Sequence, residues 1–178
     1  MAIIDLNSGS QSEHIAKAAA ALKDGYVIVA PLENSYALVA DAFFHDAVRS
    51  LHVLRGDALG IAAQVLISTP AAIDGIAREV SDDARALMEK FWPGLLSLNL
   101  KPQRGLNWDL GDGQQLDLIS VRVPAAEFIL ELTKVHGPIA VASAALAGKP
   151  AISNPAELNF TEVEVAAIFS AGQLEPGP

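Results

Sequence analysis

"GYVIVAPLENSYALVADA", Gly25 to Ala42, is the stretch from which the fold is read. Its first half, "YVIVA", is apolar without alternation, which predicts a short strand buried on both faces. The run halts at Pro31, shows Glu33, Asn34, Ser35 and Tyr36, and then turns apolar again. Polar groups set at the end of a buried strand predict the lip of a pocket.

The chain around that stretch can bury such a strand. It has 178 residues, 51% hydrophobic and 19% charged, which excludes disorder and predicts one α/β domain over residues 1–178. Aromatic residues are only 6%, so Ala, Val, Leu and Ile must build the core. A net charge of −9 argues against a broad grip on nucleic acid, while leaving room for a small basic pocket. With no cysteine there is neither a disulfide nor a thiolate metal site. The start "MAIIDLNSGSQSEH" lacks a signal-peptide pattern, and no apolar run reaches membrane-spanning length. A cytoplasmic protein without membrane contact is expected.

Other elements follow outward. Ser10 and Glu13 have capping-box spacing before "HIAKAAAALKDG", a helix ended by Gly25. "HDAVRSLHVLR" predicts a helix and "AAQVLIS" a buried strand, and Thr69 with Pro70 predicts a helix start. A further helix is expected from Ser81 to Phe91, stopped by Pro93 and Gly94. "LLSLNL" and "LDLISVRV" alternate as strands about the turn-rich "KPQRGLNWDLGDGQQ". "AAEFILELTKV" is a helix closed by Gly137, "PIAVAS" a strand, and "EVEVAAIFS" the last strand. Helix–strand alternation mixed with adjacent strands predicts a mixed sheet with helices on its faces.

Several apparent motifs carry no chemistry. His14, His45, His52 and His136 show no metal-ligand spacing, and His45 and His52 lie two turns apart on one helix face as surface or half-buried residues. "GDG" at Gly111–Gly113 is a turn, without the strand and helix that a dinucleotide site needs. "AGKP" at Ala147–Pro150 lacks the upstream glycine and the Ser or Thr of a phosphate loop.

Four segments, in order, do carry a signal: "APLENSYALVADA", "LHVLRGDALG", "FWPGLLSLNL", and "SVRVPA" followed by "GPIAVASAALAGKP". They resemble P-T-x-T-x-Y-G-L, K-x-R, F-W-P-G-P-L-T-L, V-R-x-P and S-A-N-x-S-G-x-P of the YrdC-type family, the threonylcarbamoyl-AMP synthases. The resemblance spans about residues 10–172. It implies an α/β fold with a YrdC-like twisted mixed sheet, flanking helices and a concave cavity. It also implies synthesis of threonylcarbamoyl-AMP from L-threonine, bicarbonate and ATP with magnesium, the product serving tRNA modification through partner proteins. Some members are described as binding double-stranded RNA, which the net charge makes unattractive here. The family's usual C-terminal S-T-V-V-D strand is not found after "FSAGQLEPGP".

Carried over by position, the resemblance places Asn34, Tyr36, Arg55, Arg122 and Ser143 at substrate-binding positions, with no residue acting as a covalent catalyst and none binding a metal. Arg55 keeps the charge of the family's lysine but not its shape. Leu32, Asp57, Ala145 and Ala147 depart from the pattern, replacing threonine, a basic residue, asparagine and serine. A carboxylate ~4 Å from a phosphate charge is worth roughly 4 kcal/mol at an effective dielectric near 20. Asp57 is therefore expected to weaken nucleotide binding at least ~1000-fold. Two functions fit: a divergent synthase, and a non-catalytic paralogue binding a small ligand or RNA.

Overall fold

The computed structural model describes residues 2–115 and 117–177. Within them the chain begins β1 (Ala2–Asp5), α1 (Gln11–Lys23), β2 (Ile28–Pro31), β3 (Tyr36–Asp41), α2 (His45–Arg55) and β4 (Gln64–Leu66). A 3-10 turn (Pro70–Ala72) leads to α3 (Ile73–Ile76), β5 (Ala77–Arg78), α4 (Asp82–Phe91), β6 (Leu98–Pro102) and β7 (Ile119–Arg122). The order closes with α5 (Glu127–His136), β8 (Ile139–Ser143) and β9 (Ala167–Ser170). Among the described residues nine strands form one mixed sheet, ordered β1-β9-β2-β3-β8-β4-β7-β6-β5. The pairs β1–β9, β9–β2 and β4–β7 run parallel and the others antiparallel.

Both faces of the central strands are covered, so their sequences read as continuous apolar runs. On one face α1 and α5 bring Ile15, Leu22, Phe128, Ile129 and Leu132 against Ile28, Val39, Leu66 and Ile139. On the other, Val48, Leu51, Ile73 and Met88 from α2, α3 and α4 pack over Val29, Leu38, Val65 and Val121. Burying each such side chain stabilises the fold by about 1.5–3 kcal/mol relative to exposing it. Successive β2 residues alternate between these cores: Ile28 and Ala30 face α1 and α5, and Val29 faces the other layer.

Local signals mostly hold. α2 coincides with "HDAVRSLHVLR", ending on left-handed Gly56, and α5 ends at Gly137. Ser81 caps α4 by accepting a hydrogen bond from the Ala84 amide. Trp92 is buried, its Nε1 donating to the Leu96 carbonyl at 2.6 Å.

The expected capping box of α1 does not form, because the Ser10 hydroxyl pairs with Ser12 instead of a helix amide. After Thr69 there is only a 3-10 turn and a one-turn helix. The final strand is shorter than "EVEVAAIFS", because Glu164 accepts the amide and hydroxyl of Thr161 and closes a turn there. The expected strand "LDLISVRV" starts at Leu116, outside the described residues, and the observed strand begins at Ile119. Three strands were not expected: β1, β5 and β3. β3 is the second apolar half of the opening stretch, folding back on β2 in register from Pro31↔Tyr36 to Ile28↔Val39.

Candidate active site

The polar break between Pro31 and Tyr36 is the hairpin joining β2 to β3, closed by the Leu32 amide on the Ser35 carbonyl at 2.9 Å. Leu32 packs towards the α1–α5 core, and Asn34 Nδ2 donates to the Glu175 carbonyl at 3.1 Å. Glu33 reaches the end of β7. Its two carboxylate oxygens accept from Arg122 Nη1 and Nη2 at 2.6 and 2.9 Å, and Oε1 also accepts the Ala125 amide at 2.8 Å. Strands β3, β8 and β4 lie between β2 and β7. Flat, that separation is ~19 Å, so this pair draws the hairpin and the β7 end together across the sheet.

Arg122 is committed to that task. Nη1 also donates to the Gly94 carbonyl at 3.0 Å and Nε to Gln64 Oε1 at 3.3 Å. Four of its five donors are thus taken, which leaves at most one for a substrate. The side chains are only 6% (Arg122) and 15% (Glu33) exposed. Burial pushes the Glu33 carboxyl up, but the hydrogen bonds and charge of Arg122, helped by the Ala125 amide, outweigh it and hold the group below its ordinary 4.5.

Tyr36 is wholly buried, and its hydroxyl serves the chain. It donates to the Gly172 carbonyl at 2.7 Å and accepts the Ala171 amide at 3.1 Å, pinning the turn after β9. Ser143 ends β8 opposite Ala37 of β3, and its Oγ accepts the Ala145 amide at 3.2 Å.

Arg55, the last residue of α2, joins the second and fourth sequence segments. Nη1 donates to the carbonyls of Ser143 and Ala145 at 2.6 and 3.0 Å, while the Arg55 carbonyl accepts the Ala147 amide at 2.8 Å. Nε donates to both oxygens of Asp57, at 3.2 and 3.0 Å. Asp57 Oδ2 also meets His52 Nδ1 at 2.8 Å, and His52 Nε2 meets the Leu110 carbonyl at 2.8 Å. Burial raises the Asp57 carboxyl, but the hydrogen bonds from Arg55 and His52 and their charges prevail and lower it from its ordinary 3.8. The acid that the sequence set against a phosphate is already paired.

Tyr36, Arg55 and Ser143 therefore gather where β3, β8 and the α2 end meet, with Asn34 on the adjoining hairpin, while Arg122 is tied in through Glu33. Glu33, His52 and Gln64 were not singled out as site residues. A signal for Glu33 existed, since an acid in a strand-end turn and a lone arginine inside an apolar strand are natural partners. Gln64 gave none, because Arg122 lies 58 residues away, and His52 gave none for its bond to the Leu110 carbonyl, also 58 residues away, although Asp57 is only five residues on.

A cleft of about 450 Å3 opens beside the hairpin, bounded by Pro31, Leu32, Glu33, Ala125, Glu127 and Leu174. A smaller hollow of about 210 Å3 lies beneath the β6–β7 connection, against Ala62, Leu106, Trp108, Leu110 and Ile119. Of the nine positions carried over from the family pattern, only Leu32 lines either one. Among the described residues no three His, Asp or Glu side chains are grouped to hold a metal ion. Nor is any helix long and apolar enough to cross a membrane.

The Sua5/YciO/YrdC family model, described as telomere recombination, matches residues 20–176. A provisionally named threonylcarbamoyl-AMP synthase of Mycobacterium leprae is 39% identical over 137 residues, covering 77% of this chain and 61% of its own. Pyrococcus abyssi Sua5, solved with L-threonine, superposes with a TM-score of 0.87 at 27% identity, covering 98% of this chain and 51% of that one. Escherichia coli YciO superposes at 0.84 with 24% identity, over 99% and 86% of the two chains, a likeness of fold. The chain thus spans somewhat under two thirds of the length of the mycobacterial relative.

Proposed function

The chain belongs to the Sua5/YciO/YrdC family, and from that premise we propose that it makes threonylcarbamoyl-AMP from L-threonine, bicarbonate and ATP. The threonine amine adds to carbon dioxide derived from bicarbonate, giving a carbamate. A carbamate oxygen then attacks the α-phosphorus of ATP and pyrophosphate leaves, with magnesium accompanying the nucleotide as part of the substrate. The product passes to partner enzymes of tRNA modification. No covalent intermediate with the protein is needed, so the chain's contribution is positioning and charge.

The observation that carries this reading is the Arg55 contact with the carbonyls of Ser143 and Ala145. It joins two segments of the resemblance that lie 88 residues apart for Ser143. Arg55 provides positive charge there, and the Ser143 hydroxyl and the Asn34 amide are polar groups suited to a zwitterionic amino acid. Tyr36 and the Glu33–Arg122 pair hold the surrounding turns, and Arg122 keeps one donor for an anionic group.

A second reading, a ligand-binding paralogue without catalysis, is favoured by Leu32, Ala145 and Ala147, which offer no polar side chain. Turnover decides between them. Purified protein with ATP, magnesium, L-threonine and bicarbonate should release pyrophosphate and threonylcarbamoyl-AMP, dependent on both threonine and bicarbonate. Absence of product from folded protein would transfer the case to the paralogue.

A further inference from the structure

Three of the departures from the family pattern, at positions 57, 145 and 147, meet on one residue, Arg55. Arg55 Nε has a single hydrogen, directed at the Asp57 carboxylate, and both Nη1 hydrogens go to the carbonyls of Ser143 and Ala145. Its main-chain carbonyl holds the Ala147 amide, so both parts of this residue grip the 143–147 segment. Nη2 has no hydrogen-bond partner among the described residues, and the side chain is 16% exposed.

Asp57 fixes the guanidinium from one side, with its own side chain only 5% exposed. His52 fixes Asp57 in turn. Its ring bridges the carboxylate and the Leu110 carbonyl, and it lies flush against Gly111, where a Cβ would come within 2.2 Å of Nε2. A guanidinium held at Nε and Nη1 cannot swing, so its remaining corner points one way. Ala145 and Ala147 have only methyl side chains, so neither side chain can hydrogen-bond the guanidinium.

We propose that Asp57 and His52 are positioning residues that convert Arg55 into a single-point anion donor, with Nη2 alone presented to a phosphate group of the nucleotide. The acid at position 57 then aids binding through geometry, against the opposite expectation that it repels phosphate. The nucleotide assignment rests on the function proposed above; the clamp on residues 143–147 does not.

The test compares wild-type protein with D57N, D57E and H52Q, measuring the Kd for Mg-ATP by calorimetry and amide hydrogen exchange across residues 143–147. D57N loses a charge-assisted bond and should weaken ATP binding ~10-fold and speed exchange of the Ala145 and Ala147 amides by a similar factor. H52Q should shift both readouts the same way by a smaller factor, and D57E, which keeps the carboxylate, should recover most of each. Tighter ATP binding by D57N with unchanged exchange would overturn the proposal in favour of simple repulsion. If wild-type protein binds no ATP, the nucleotide assignment falls with the proposed function. The exchange measurement then still decides the clamp: unaltered protection in both D57N and H52Q would remove it.

Discussion

Arg122 and Arg55 each meet a carboxylate of this same chain, but Arg122 takes its partner from 89 residues away and Arg55 from two. The distant pair is bidentate, buried and supplemented by a backbone amide, so it ties the β2–β3 hairpin to the end of β7. The near pair restrains a side chain that already lies at the end of its own helix, and leaves one nitrogen facing outward. An arginine at a family position can thus be consumed by the fold or aimed by it. The partner's place in the sequence separates the two outcomes: a remote acid closes architecture, and a neighbouring acid sets direction.

The largest effect should come from breaking the remote pair. R122A strands the Glu33 carboxylate in a mostly buried setting, which should cost about 3–5 kcal/mol of folding stability, read from urea denaturation. E33A should be comparable. If R122A instead abolished turnover with stability unchanged, Arg122 would belong with Arg55 as a substrate-facing group.

Next comes Asp57. D57N should cost about 1.5–3 kcal/mol in the same measurement, the range for hydrogen bonds to charged groups. A loss as large as that of R122A would erase the contrast between the two arginines.

Acid should then act on both regions together. The Glu33 and Asp57 carboxyls are held below their ordinary 4.5 and 3.8. A carboxyl whose folded value is depressed stabilises the protein above its unfolded value and loses that contribution as pH falls through the folded one. Stability measured by denaturation should therefore be insensitive to these two groups from about pH 5 to 8 and decline below about pH 4. The E33Q/D57N double variant should start lower at neutral pH and show a shallower acid decline. An equally steep decline would place the acid sensitivity elsewhere.

The smallest effect is expected at Tyr36. Y36F keeps the buried ring and removes the hydroxyl that holds Gly172 and Ala171, which should cost about 1 kcal/mol and speed exchange at the Ala171 amide. A larger effect on threonine affinity than on stability would restore Tyr36 to the substrate.

What could be read in the sequence was local. The bounds of α2 and the glycine ending α5 depend on residues within a turn or so of each other and appeared as written, while α4, expected from Ser81, begins at Asp82 with Ser81 as its cap. β5 escaped because two residues carry no period, and β1 because its pairing partner, β9, lies more than 160 residues further along the chain, as in Ala2↔Ala167. The Ser10 cap failed for a similar reason, since spacing does not reveal that a neighbouring hydroxyl competes. For the candidate site, position in the motifs nominates Arg55, Tyr36, Ser143, Asn34 and Arg122. What each hydrogen-bonds could not be read there, because Glu33, Gln64, Gly172 and Glu175 arrive from remote parts of the chain. Asp57 is the sharpest instance: its charge was legible, and its consequence depended on His52 and Arg55 holding it.

The parallel insertion of β9 between β1 and β2 has a bearing on how the protein is made. β1 leaves the ribosome before the other strands described here, yet its ladder runs along β9, from Ala2↔Ala167 to Asp5↔Ser170, and the Leu6 amide completes it on the Ser170 carbonyl. Until residue 170 has emerged, β1 has no template, and the β2 edge that β9 will cover stays open to solvent and to other nascent chains. Such late closure of early segments slows assembly and exposes unpaired edges to aggregation. Nascent chains halted before β9 should therefore hold the β2–β3 hairpin while leaving residues 2–6 open to proteases.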